Sequence, residues 1–500
     1  MKPRLPSASR QLHRHAAAAL ALLPGLVLAQ SGPADEWTRA NVDLRLGFES
    51  VKVPGRGQMG LAGMSYLVEL RPGLCAGPAG YGAASGQNGG LFTIGAEAAL
   101  CMQVSGPLSV EAGLYVGGGG GGNAPVGGGL MLRPHLDLLW DFGGWRAGVS
   151  YSNVRFPSGQ IDSNQFGLVL GMNADFTYLP SGRETVPFPG LGRTGVGLDR
   201  LVALVGEYRP KAGNPTADGA GAQSSIGYVG ALAERYFTPN VYGGFEANAA
   251  ASGQAAGYAE FLATVGAEFP LAADRFRLGG RLALGAGGGG GVQTGGGLLA
   301  KASLDAALRL SPDLSVNLEA GWAWAPQGSF SSPFASLGLR LDLEHSQGLP
   351  TRQTLENWVA GVETYQGAAR TNGPPQNLQN VVFKFDRFIS PALYLSGQVH
   401  SAYAGDAGAF AVALFGVGAR WRFAERWLVG GELLAGAAGG GGVATGSGAI
   451  AQPMAYLGFD LGRAWSLRLG AGRVKSFDGP LDSTVLDLTL AFAYGVASRP

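Results

Sequence analysis

The sequence predicts an all-β fold, an antiparallel transmembrane β-barrel built from three tandem eight-stranded repeats. Three observations predict it. Glycine supplies 86 of 500 residues, and each interior glycine costs a helix about 1 kcal/mol relative to alanine. Apolar and polar residues alternate with a period of two over long stretches. Three sequence anchors recur three times in the same order. Hydrophobic residues make up 46% and charged ones 14%, which excludes a polar disordered chain. Glycine shows no Gly-X-Y period, which excludes collagen.

The first 29 residues come first in order. Lys2, Arg4, Arg10 and Arg14 precede an apolar stretch, Ala16–Leu28, that ends at Ala29. The pattern reads as a secretory signal peptide (residues 1–29) cleaved near Ala29, because the apolar stretch is too short for a membrane span. Its removal takes four basic and no acidic residues from a chain of net charge +1, leaving −3. No basic face remains for nucleic acid, so none is expected as a partner. No later segment reads as a membrane helix. The longest uncharged stretches, Ala112–Leu132 and Leu433–Phe459, are rich in glycine. A membrane role therefore falls to strands.

The repeats follow. The first anchor is Ile94-Gly95-Ala96-Glu97, Val265-Gly266-Ala267-Glu268 and Val417-Gly418-Ala419-Arg420, spaced 171 and 152 residues apart. The second is a glycine run beginning at Gly117, Gly287 and Gly439. The third is Gly127-Gly128-Gly129, Gly295-Gly296-Gly297 and Gly446-Ser447-Gly448. These bounds give repeat 1 over 30–176, a linker over 177–198, repeat 2 over 199–343, a linker over 344–358 and repeat 3 over 359–496. Within repeat 1, Leu136, Leu138 and Trp140 alternate with His135, Asp137 and Asp141. A strand so built separates an apolar face from a polar one. Strands are expected near 42–52, 63–71, 74–84, 91–102, 107–117, 128–142, 145–156 and 165–176. Short turns such as Arg71-Pro72-Gly73 alternate with longer loops, the first of them expected over Pro54–Gly63.

The signal peptide, the alternating strands and the alternating loop lengths resemble Gram-negative outer-membrane β-barrel proteins as a class. That resemblance implies a place in the bacterial outer membrane, contact with outer-membrane lipids and insertion by the barrel-assembly machinery. It implies short periplasmic turns and longer outer loops. Proteins of the class often end on an aromatic residue. Here Phe492 and Tyr494 are followed by Gly-Val-Ala-Ser-Arg-Pro.

Each repeat can pair its last strand with its own first strand or with the next repeat's. Long linkers and small inward residues (Gly95, Gly113, Gly167, Val169, Gly171) favour three small barrels. The alternative is one 24-stranded barrel. In the first case Glu69, Arg71, Glu97, Glu111, Arg133, Asp137, Glu268, Lys301, Asp305, Arg309, Arg420 and Asp460 form a lumen ionic network. Cys75 and Cys101 fall on neighbouring strands and can pair as a disulfide or stand as two buried thiols.

No catalytic, cofactor-binding or metal-ligating set emerges. The glycine runs fail the phosphate-loop test, because no lysine follows a glycine and a strand, not a helix, comes next. They remain glycine-rich hairpins, suited to self-packing or to a surface ligand. His345-Ser346 and His400-Ser401 resemble, as dipeptides only, the His/Ser chemistry of outer-membrane lipid-modifying enzymes. The leading expectation is a non-enzymatic structural or surface-binding outer-membrane protein. A porin-like or export channel formed by the 24-stranded barrel, and a lipid-modifying enzyme, are the alternatives.

Overall fold

The computed structural model describes residues 37–180, 193–211, 215–216, 221–272, 274–343 and 352–498. The signal peptide with its cleavage near Ala29, most of both linkers, and His345 lie outside the described residues.

Among the described residues, alternation of side chains across a pleat yields 25 strands. Unit 1 holds β1 (Thr38–Val53), β2 (Gly57–Arg71), β3 (Leu74–Ser85), β4 (Phe92–Ser105), β5 (Leu108–Gly120), β6 (Met131–Asp141), β7 (Trp145–Arg155) and β8 (Asp162–Tyr178). Unit 2 holds β9 (Arg200–Tyr208), β10 (Ile226–Tyr236), β11 (Val241–Ser252), β12 (Ala259–Leu271), β13 (Phe276–Gly288), β14 (Leu298–Arg309), β15 (Leu314–Trp324) and β16 (Ser331–Asp342). Unit 3 holds β17 (Arg352–Ala368), β18 (Gln376–Phe388), β19 (Leu393–Ala404), β20 (Ala411–Arg422), β21 (Trp427–Gly439), β22 (Ala449–Ala451), β23 (Met454–Asp460), β24 (Trp465–Ser476) and β25 (Asp482–Ser498).

Units 1 and 2 are closed eight-stranded antiparallel barrels. β8 returns to β1, placing Val169 opposite Gly47, and β16 returns to β9, placing Leu337 opposite Val205. Self-closure of these units overturns the 24-stranded alternative. The expectation of three equal eight-stranded barrels is also corrected. Unit 3 is a nine-stranded sheet ordered β20-β19-β18-β17-β25-β24-β22-β21-β23, with further pairings of β20 to β21 and β24 to β23. The extra strand arises at Gln452-Pro453, which separates β22 from β23. Proline has no N–H to give the ladder. Pro134 interrupts unit 1 more mildly: the ladder to β7 passes from Leu132–Arg155 to His135–Ser152 while β6 remains one strand.

The first loop differs from its expected span as well. β1 and β2 join through Pro54-Gly55-Arg56 alone, because Gln58–Ala62 already pair with Phe48–Lys52. β17 begins at Arg352, within the segment expected to be linker.

The faces follow the alternation. On β6, Leu136, Leu138 and Trp140 point outward and are 45–54% exposed, while Arg133, His135 and Asp137 point into the lumen and are 4–6% exposed. Exposed aromatics gather at the short turns: Phe142 and Trp145, Phe269 and Phe276, Trp421, Phe423 and Trp427. An apolar wall with an aromatic girdle is what a bilayer selects. Among the described residues no helix is long and apolar enough to cross a membrane.

Inward glycines make room for large neighbours. A Cβ on Gly113 would lie 2.3 Å from His135 Nε2, and one on Gly266, Gly418 or Gly430 would lie 2.1–2.4 Å from Tyr242, Tyr394 or Tyr456. Small and large residues on adjacent strands thus fill a narrow barrel that uniform side chains could not.

The units meet through the loop ends of their glycine hairpins, in a cyclic order. β5 lies against β19, β13 against β3, and β21 against β11. The last glycine of the third anchor makes each contact. A Cβ on Gly129, Gly297 or Gly448 would stand 2.4, 2.3 or 2.6 Å from the carbonyl oxygen of Ala402, Ala83 or Ala250 in the neighbouring unit. All three have φ between +96° and +110°, a region glycine alone enters freely. Backbone bonds join units there, Gly89 N–H to Gly295 O at 3.1 Å and Gly408 N–H to Gly127 O at 3.2 Å. One surface of each unit meets a different surface of the next, a head-to-tail arrangement that closes as a ring.

Candidate functional site

The lumens are occupied. In unit 1, Arg45 binds Asp43 and holds Glu111 with two guanidinium nitrogens. Arg133 donates to Glu49 at 2.9 and 3.1 Å. His135 sits between Asp137 (3.1 Å) and Glu97 (3.4 Å). In unit 2, Lys301 lies between Glu246 (2.8 Å) and Glu260, over the rings of Tyr208, Tyr228 and Phe334. Arg340 joins Glu268 (3.2 Å) to Asp305 (2.5 Å). In unit 3, Lys384 binds Asp487 at 2.9 Å and Arg468 binds Asp386 at 3.1 Å. Ions taken out of water are tolerated only when paired in this way.

The other residues expected in that network take different places. Glu69 accepts from Asn41 Nδ2 (2.6 Å) and Gly73 N–H (3.2 Å) at the short-turn end. Arg71 is exposed. Arg309 binds Asp274 at 2.5 Å in the turn between β12 and β13, where contact with Arg277 and Arg309 holds the Asp274 carboxyl below its ordinary range. Arg420 stacks on Phe388 at 4.0 Å, and Asp460 binds Arg422 at 2.5 Å. Sequence reading missed Arg45, Glu49, Arg200, Glu246, Glu260, Lys384 and Asp386. The same period-two pattern marks them, since each falls on the inward parity of its strand.

Above the ions, toward the loops, each lumen is packed with apolar side chains. Unit 1 uses Val51, Met59, Tyr81, Tyr115, Met131 and Phe156; unit 2 uses Tyr208, Tyr258, Leu262, Leu299 and Phe330; unit 3 uses Tyr365, Leu378, Phe410, Leu414 and Ile450. The loop between the last two strands braces the third anchor, as where Asp478 accepts from Ser447 N–H (3.1 Å) and from its hydroxyl. Those bonds hold the Asp478 carboxyl below its ordinary range.

Cys75 and Cys101 are free thiols, half-buried, and Cys101 Sγ lies 2.9 Å from Glu111 Oε2. Glu111, His135 and Asp137 bring donor atoms within 4.8 Å of one another, a grouping that sequence spacing did not signal. Arg45 already occupies both Glu111 oxygens. His400 faces the lumen, fully buried, with Nδ1 3.0 Å from Glu363 and Nε2 3.3 Å from Gln398 Oε1.

The large empty space is elsewhere. A chamber of about 1270 Å³ lies between the three units. Outward residues of every unit line it, among them Leu70, Ile94, Ala247, Phe261, Phe383, Phe415 and Leu490. At the loop end it reaches the buried backbone of Gly90, Gly120 and Gly439. At the short-turn end it reaches Pro180, Trp465 and the exposed Arg463. There units 1 and 3 touch through Tyr66, Phe176, Tyr178, Trp358 and Tyr494, and Leu179 and Gly495 exchange backbone hydrogen bonds at 2.9 and 3.0 Å. Tyr494, near the chain's end, is fully buried in that contact.

No family model matches the chain, and no curated protein does. Solved structures overlap it broadly at low identity. The siderophore receptor PirA from Pseudomonas aeruginosa is 12% identical, over 93% of this chain and 81% of its own, at a TM-score of 0.29. PirA from Acinetobacter baumannii is 9% identical, over 91% and 80%, at 0.28. The outer membrane protein opdK from Pseudomonas aeruginosa is 10% identical, over 92% and 99%, at 0.24. Overlaps this loose carry no argument about ligand or mechanism. The chain resembles Gram-negative outer-membrane β-barrel proteins as a class, and no single family is identified.

Proposed function

We propose that this chain is an integral outer-membrane protein, without catalytic activity, that binds apolar molecules in the space between its units. The observation that carries the reading is the contrast between filled lumens and the apolar chamber of about 1270 Å³ outside them. Large, mostly apolar cavities are where small molecules bind. Ion pairs in the middle of each unit and apolar side chains toward the loops leave little room for hydrated solutes. Secretion, cleavage near Ala29 and insertion by the barrel-assembly machinery complete the reading. The lipid-enzyme alternative loses support at His400, whose ring is turned toward Glu363 and away from the lipid-facing wall.

Planar bilayers test it. The purified chain is expected to give no large, stable conductance steps, while a neutral lipophilic dye binds it saturably. Stable steps of porin size, or no dye binding, would overturn the proposal.

A further inference from the structure

The chamber cannot be left empty by the rules that govern protein interiors. Folded proteins tolerate few voids larger than a water molecule. Water would need two to four polar partners to settle in such a space. The side chains that face this one are mostly apolar, among them Ile94, Phe261, Val362, Phe383, Phe415 and Leu488, with Ser401 and Tyr403 as polar exceptions away from the short-turn end. Lys384, Gln398, His400 and Thr489 back onto it but are engaged or buried on the lumen side of their strands. The wall is made of the residues that elsewhere on each unit face the bilayer, so the matching occupant is hydrocarbon.

The ends of the chamber say where that hydrocarbon enters. At the loop end the glycine contacts are backbone against backbone: a Cβ on Gly90 would lie 2.2 Å from Gly289 N, and one on Gly439 would lie 2.2 Å from Gly257 N. No acyl chain passes such a junction. At the other end the lining reaches the exposed Arg463 beside Trp465. A cation and an indole at the level of an aromatic girdle are the usual partners of lipid headgroups. A smaller cavity of about 60 Å³ adjoins Arg463 and also touches Arg420, Arg422 and Asp460.

We propose that the chamber holds the acyl chains of a phospholipid taken from the leaflet at the short-turn end, its phosphate beside Arg463. The proposal rests on the reading of the chamber as a site for apolar molecules and names the molecule. In the class this chain resembles, that leaflet faces the periplasm.

The full chain, purified from membranes in a detergent free of phospholipid, is denatured and its bound lipid identified by mass spectrometry. Phospholipid is expected at a fixed molar ratio to protein. Ala360→Phe with Ala413→Phe fills the chamber from two strands of unit 3, and bound phospholipid should fall about fivefold or more as the space is lost. The β-sheet signal and heat-resistant mobility in gels should remain. Ala360→Leu alone serves if the double variant does not fold, with a smaller loss expected. Arg463→Glu should lower the retention of anionic phospholipid. Recovery of only detergent or free fatty acid, or equal phospholipid in the filled variant, would overturn the proposal. If the lipophilic dye still saturates a chain that yields no phospholipid, the chamber reading survives and the phospholipid assignment falls. If neither binds, both fall.

Discussion

Replacing Gly297 with alanine is expected to loosen unit 2 from unit 1 and to lower the unfolding temperature of the whole chain. Two costs add at this position. The residue has φ +100°, which costs an L-residue about 1–2 kcal/mol. Its new Cβ would meet the Ala83 carbonyl oxygen at 2.3 Å and the Gly89 Cα at 3.0 Å, and overpacking of this kind costs about 1–3 kcal/mol. A total near 3 kcal/mol is large against ordinary surface changes of about 0.5 kcal/mol. Gly143→Ala separates the two terms. Gly143 also has a positive φ, +84°, but nothing lies within 4 Å of its Cβ position. It should show the backbone cost alone. Thermal unfolding followed by loss of heat-resistant mobility in gels reads both variants. Equal effects from Gly297→Ala and Gly143→Ala would mean that the hairpin does not hold the units together.

Lys301→Met is expected to cost about 3–5 kcal/mol, the usual penalty when one partner of a buried ion pair is removed. Lys301 is fully packed between Glu246 and Glu260 and under three aromatic rings. Methionine keeps much of its volume but leaves Glu260 with two tyrosine hydroxyls and Asn248 as its remaining partners. Lys301→Arg, which keeps the charge, should lose less. Arg209→Met removes the exposed partner of Glu207 and should leave stability unchanged, because exposed pairs contribute little. Urea unfolding in the same detergent checks all three. A lumen that tolerated Lys301→Met without loss would be wet and open, against the sealed interior described above.

Much of the strand content could be read from alternation and turn chemistry. Leu136, Leu138 and Trp140 against His135 and Asp137 declare both faces of β6, and the recurrent anchors declare the repeat. The closure of units 1 and 2 could not be read in this way. β8 and β16 present the same alternation to any partner, and only the register of Val169 on Gly47 or Leu337 on Val205 decides between them. The split of unit 3 at Pro453 could be suspected from proline's missing N–H. Pro134 at the matching position leaves β6 whole, so neighbours and not the proline alone set the outcome.

The lumen network was legible in part, and residues near the short turns were the ones misjudged. Arg71, Arg309 and Arg420 share the inward parity of Glu97 or Lys301, but close to a turn a long side chain reaches water, a nearby acid or a ring face. The chamber had no sequence signature at all. Ile94, Phe261 and Phe415 look like any bilayer-facing residues. Only the glycine contacts between units, which depend on backbones meeting at Gly129, Gly297 and Gly448, turn three outward faces toward a common space.

Strand pairing at the seam of unit 1 tests the central claim, that units 1 and 2 close on themselves and leave the chamber outside. A chain carrying Gly47→Cys with Val169→Cys, in a background with Cys75 and Cys101 replaced by serine, should form a disulfide in the assembled protein. Val169→Cys with Leu204→Cys, both on the inward parity of their strands, should not. A cross-link in the second pair and none in the first would contradict the account, because β8 would then be joined to the next unit and the space between the units would be the lumen of a larger barrel.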